Sequence, residues 1–163
     1  MKIYDAEQVL RDLEQSFKDN LNTEIAAVNA EKADALTIVD IPDDKYVFMT
    51  LDERMLNFKG FWFQYGLMES PPSQASPDNF REDVTVTLQV ACFDQGDRDR
   101  SATLYRLLRY QRAIKQVILK NPDLFQGYSK PLVQSLEPAA YPFDNKLVIL
   151  SIGVNITVSI TAN

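Results

Sequence analysis

The chain has 163 residues and a formal net charge of −6, with 17 Lys and Arg against 23 Asp and Glu, no histidine and one cysteine. That length fits one domain, 1–163, large enough for a real hydrophobic core. The lack of histidine removes the commonest general base and metal ligand, and a lone Cys92 excludes an intrachain disulfide or a multi-cysteine zinc site.

The longest apolar runs fall short of a membrane span. The start, Met1-Lys2-Ile3-Tyr4-Asp5, is polar by Asp5, so no signal peptide is expected. Charge is unevenly spread. Residues 1–53 hold 13 acids and 5 bases, whereas residues 98–120 hold 7 bases and one acid, Asp99. A dipolar chain of this kind suits head-to-tail contact between copies, and it also suits two ordinary solvated helix faces.

Asp5 followed by Gln8 resembles a capping box. After it, Ala6, Val9, Leu10, Leu13, Phe17, Leu21, Ile25 and Val28 recur every three or four residues, which predicts a long amphipathic helix over Ala6–Ala33. Leu36–Ile41 reads as a short strand and Pro42-Asp43-Asp44-Lys45 as a turn. Tyr46–Leu51 reads as the returning strand of a hairpin. Phe61–Met68 is a strand with aromatics on both faces, so both faces are expected to be covered.

Ser70–Pro77, with three prolines among serines, reads as a mobile loop. Pro71, Pro72, Ser73, Gln74 and Pro77 are its candidate partner-contact residues, expected to be free in the isolated subunit and ordered on assembly. Asp83–Phe93 alternates as a long strand, and Asp94–Asp97 is a turn. A second helix follows over about 99–120, with Leu104, Leu107, Leu108, Gln111, Ile114, Val117 and Ile118 as its core stripe. Leu132–Glu137 is a further strand.

The last strand runs from Lys146 to Thr161, with Val148, Leu150, Ile152, Val154, Ile156, Val158 and Ile160 on one face. At about 3.3 Å per residue it spans roughly 45 Å, far beyond an ordinary strand. Part of it is expected to project and to need a partner edge. Two helices covering one face of an antiparallel sheet make the class α+β.

Chemical motifs are scarce. There is no phosphate-binding glycine loop, no dinucleotide fingerprint and no nucleophile elbow. Cys92 reads as a small buried hydrophobe. The acid pairs Asp43-Asp44, Asp52-Glu53 and Glu82-Asp83 keep a carboxylate-dependent small enzyme as an alternative. The run Asp94–Asp99 superficially resembles a calcium loop, but its twelfth position is Tyr105, so it reads as a turn and a helix N-terminus. The one feature with functional character is the basic flank Arg106, Arg109, Arg112 and Lys115, with Tyr105 and Tyr110 nearby. Such a flank can track a phosphate backbone, which makes a nucleic-acid-binding module the second alternative. A pI near 4.7 argues against an autonomous DNA-binding domain and favours a solvated or subunit-facing side.

The long first helix, the sheet, the second helix and the long last strand together resemble the tail terminator or tail completion (neck) proteins of tailed bacteriophages. The residues that carry the resemblance are Asp83–Val90 leading into the Arg98–Ile118 helix, and Ala140-Tyr141-Pro142-Phe143-Asp144 before the last strand. The resemblance implies a structural virion protein, not an enzyme, that forms a ring, typically hexameric. Such a ring caps the tail tube and joins it to the neck or connector proteins of the head. It implies location at the tail–neck junction, with assembly in the host cytoplasm, no membrane, no cofactor or metal, and DNA passing through the ring. Arg106, Arg109, Arg112 and Lys115 would then line the lumen or pair with acids of the adjacent subunit, and pairing is the favoured expectation.

Overall fold

Asp5 starts the first helix, α1 (Ala6–Lys32), by accepting a hydrogen bond from the Gln8 N–H at 2.8 Å. Ala33 ends it in the left-handed region at φ 48°, with its N–H returned to the Asn29 carbonyl. The computed structural model describes residues 5–48, 58–69, 73–76, 79–94, 100–125, 131–142 and 147–162. Val9, Leu13, Phe17, Leu21, Ile25 and Val28 are all buried, so the predicted stripe is the packed face of α1.

Among the described residues the expected hairpin between 36–41 and the strand beginning at Tyr46 is not formed; 49–51 lie outside them. Residues 36–41 are extended but lie outside the sheet, bonded by side chains instead of a neighbouring strand. Asn29 donates to the Ile38 carbonyl (2.8 Å) and accepts from the Ile38 N–H (2.9 Å). Asn22 does the same for Ile41, at 3.1 and 2.9 Å. Between them the Tyr110 hydroxyl accepts from the Val39 N–H and donates to its carbonyl. Seven helical residues rise about 10.5 Å, and three extended residues span about 10 Å. Two asparagines two turns apart therefore match two backbone positions three residues apart. Loss of Asn29 leaves both polar groups of the buried Ile38 backbone unpaired. We expect Asn29→Ala to cost about 2 kcal/mol, read by urea denaturation, with faster amide exchange at Ile38.

A single 3-10 turn, Asp43–Lys45, leads into β1 (Tyr46–Phe48). This strand runs parallel to β2 (Trp62–Glu69), pairing Tyr46 with Phe63 and Phe48 with Tyr65. The sheet is thus mixed and not antiparallel throughout. About a dozen residues separate the two strands, the length a parallel connection needs.

Ser73–Ser76 is β3, paired with the start of β4 (Asn79–Phe93). The mobile-loop reading of Ser73 and Gln74 is therefore corrected. The non-proline residues between the prolines keep their N–H groups and extend the β2–β4 hairpin, Ser73 opposite Arg81 and Gln74 opposite Phe80. Pro71, Pro72 and Pro77 lie outside the described residues, as does most of the Asp94–Asp99 run.

The second helix, α2 (Arg100–Lys120), precedes β5 (Leu132–Ser135), β6 (Ala139–Pro142) and the long β7 (Val148–Ala162). The sheet order is β1-β2-β4-β7-β5, with β3 on β4 and β6 on β7. The length of β7 is matched within the chain. β4 pairs with it from Phe80 opposite Ala162 to Phe93 opposite Ile149, so the projecting strand expected to need an outside partner has an internal one.

One sheet face carries Phe63, Val84, Val86, Leu88, Val90, Ile152, Val154, Ile156 and Val158, all buried beneath the helices. The other is a polar ladder of directly opposed residues, neutral along its middle and charged at Arg81 and Asp83. Thr85 bonds Thr157 and Thr87 bonds Asn155, each at 2.8 Å, and Gln64 bonds Gln89 at 2.9 Å. Trp62 and Phe93 close one end of this second face, with ring centroids 5.1 Å apart.

Candidate functional site

α2 buries Leu107, Tyr110, Ala113, Ile114, Val117 and Ile118. Gln111 is buried too. Its amide donates to the carbonyls of Leu136 and Gly153, each at 2.7 Å, filling the break between β5 and β6 where Pro138 interrupts the edge.

The basic flank divides in two. Arg109 donates to the Leu36 carbonyl and to Asp34, at 2.5 Å for the latter. Arg112 pairs with Glu31, and Lys120 with the buried Glu24 at 2.7 Å. The acids descend along α1 and the segment after it as the bases ascend α2, so these are three rungs of a ladder joining antiparallel helices. Arg109 and Arg112, expected to pair with acids of an adjacent subunit or to line the lumen, each have an acid of the same chain beside them. Arg109 is a buried structural residue of the monomer. Arg106 and Lys115 have no carboxylate partner among the described residues. Lys32, Leu36, Tyr105 and Lys115 line an open groove of about 650 Å³ along this flank, with Arg109 and Arg112.

The Arg109 hydrogen bond holds the Asp34 carboxyl below its ordinary value of 3.8. Burial opposes this, and the Leu36 N–H, donating at 3.0 Å, adds to the lowering. A carboxyl with a lower pKa folded than unfolded binds fewer protons in the native state. Its stabilisation is complete above 3.8 and fades as the pH falls through the depressed value. We expect the melting temperature to decline below about pH 4, and to decline less in Asp34→Asn.

Burial, with Asp94 second, pushes the Cys92 thiol up to about 11. A thiol in that state is protonated at neutral pH and is a poor nucleophile. No set of three or more acidic or cysteine side chains among the described residues is arranged to hold a metal ion. No helix among them is long and apolar enough to cross a membrane.

The surface that stands out is apolar. Eight large hydrophobics are exposed among the described residues, and seven lie on α2 or on β5 and β6: Leu104, Tyr105, Leu108, Leu119, Leu132, Val133 and Tyr141. At 100° per residue, Leu104, Leu108, Lys115 and Leu119 fall within an arc of about 60° on α2. That stripe flanks the sheet edge, since Leu104 and Leu107 line an apolar notch of about 350 Å³ with Pro138, Ala140, Val148 and Leu150. All four residues of β5 are exposed, and β5 hydrogen-bonds only to β7 among the described strands.

Leu104 and Leu108, expected in the core stripe, are 38% and 41% exposed. The sequence held a signal for this. The apolar positions of α2, from Leu104 through Leu108 to Leu119, cover a wider arc than one buried face needs. Leu132 and Val133 are adjacent in a strand, so they cannot share a covered face.

No protein-family model matches the chain, and no curated protein matches it.

Proposed function

We propose that the chain is a structural assembly protein that acts by associating with copies of itself, as the ring-forming subunit of a phage tail–neck junction. The observation that carries self-association is that seven of the eight large hydrophobics exposed among the described residues lie on α2 or on the β5–β6 edge. Monomeric proteins seldom leave such a surface uncovered, and clusters of this kind mark interaction sites. The tail-junction assignment rests on architecture, namely the long first helix, the two-helix layer on one sheet face and the 15-residue last strand. Partners in this reading are the chain itself, the tail tube and the neck proteins. A nucleic-acid-binding use of α2 has less support, because Arg109, Arg112 and Lys120 are neutralised by acids of the same chain.

Because those charges are satisfied internally, the interface is mainly apolar and its strength depends weakly on salt. The test is solution mass by light scattering. We expect particles several times the 18.6 kDa chain mass, persisting at high salt. A strict monomer at high micromolar concentration overturns the proposal.

A further inference from the structure

Among the described strands the sheet order ends at β1 on one side and β5 on the other, and the directions of these two strands differ. β1 is parallel to β2; β4, β7 and β5 then alternate, so β5 runs opposite to β1. A second copy placed beside the first in the same orientation brings its β1 against β5 as an antiparallel pair, the stronger pairing. The two edges also differ in charge. The α2 stripe that flanks this edge at Leu104 carries Lys115, which has no acidic partner among the described residues. Leading into β1 are the exposed Asp40 and Asp43, neither paired with a base among the described residues, next to Val39. Val39, 60% exposed, is the one large exposed hydrophobic outside α2 and the β5–β6 edge among the described residues.

We propose that the occupant of the β5 edge is the β1 edge of a second copy, added head to tail so that the sheet continues from subunit to subunit. The apolar stripe of α2 covers the joint, and Lys115 faces the Asp40–Asp43 segment of the incoming copy. An interface between two different patches repeats, and closes into a ring when the rotation per subunit divides a full turn. This inference rests on the self-association reading above and specifies its geometry.

Two variants test it, each blocking one edge. Val133→Lys places a charge on β5 at a half-exposed site, and Asp40→Lys with Asp43→Lys reverses the charge beside β1 at exposed sites. Thermal melts confirm that both fold. We expect each variant alone to be monomeric, with association weakened by about tenfold or more. Mixed in equal amounts, they form a 1:1 heterodimer that grows no further, because each retains the edge the other lacks. Variants that assemble like the parent protein overturn the assignment of edges. Two monomeric variants that do not combine overturn the head-to-tail geometry in favour of a two-fold contact. In both cases the parent still assembles; a monomeric parent instead sinks the self-association reading, and this inference with it.

Discussion

Replacing Gly153 with alanine is expected to destabilise the protein by about 3 kcal/mol or more, at the upper end of overpacking costs. Gly153 lies opposite Gln89 in the β4–β7 ladder, within the longest pairing among the described strands. A Cβ at this position would overlap the Leu88 carbonyl oxygen and stand 2.7 Å from the Gln89 Cα. Both obstacles are backbone, so no side-chain rotation relieves them. The only remedy is separation of the two central strands, and those strands carry Leu88, Val90, Ile152 and Val154 into the core. The Gly153 carbonyl also accepts from Gln111 and from the Leu136 N–H, so displaced backbone loosens the β5–β6 edge as well. At roughly 2–4 °C per kcal/mol for a domain of this size, the melting temperature falls by about 6–12 °C. A fall of only a degree or two, measured by circular dichroism, would show that the strands part easily here.

The second large effect is expected at Arg109. Arg109→Met keeps the buried aliphatic stem and removes the guanidinium. It leaves the Leu36 carbonyl without its donor and Asp34 without its cation. We expect a loss of about 2–3 kcal/mol, less than for a fully buried pair because the Asp34 side chain is half exposed. Arg109→Lys recovers little, since one ammonium on a shorter reach does not reproduce a planar fork that bonds two acceptors. Arg112→Ala is the comparison. It breaks the Glu31 pair, whose members are both near half exposed, and costs about 1 kcal/mol or less. Equal losses at 109 and 112 would show that the ladder acts through net charge and not through the buried fork.

Several elements were legible because one residue pattern dictates one outcome. The Asp5 cap with the spacing from Val9 to Val28 admits only an amphipathic helix, and the alternation from Val148 to Ile160 admits only a strand. The class, α+β, follows from them. What was hidden depends on partners distant in sequence. Residues 36–41 have the composition of a strand, but Asn22, Asn29 and Tyr110 take the place of a neighbouring strand, and nothing local announces that. Ser73–Ser76 has the composition of a loop, but the start of β4 supplies its ladder. The surplus of acids near the N-terminus and bases in α2 was visible as composition. Only the antiparallel packing of the helices shows that three of those pairs are spent within one chain. The assembly surface was legible only in part. Lys115 was singled out, while the leucines beside it were placed in the core.

The most direct test of the assembly account is amide exchange followed by mass spectrometry at two concentrations of the unmodified protein. In an isolated subunit, the N–H groups of Leu132–Ser135 and of Val47–Phe48 that point away from the sheet have no strand partner among the described residues and exchange quickly, whereas the Tyr46 N–H already donates to the Asp43 carbonyl. In the assembled state we expect both segments to become protected together, while β4 and β7 stay protected throughout. Assembly that leaves both edges exchanging at the monomer rate would contradict the account.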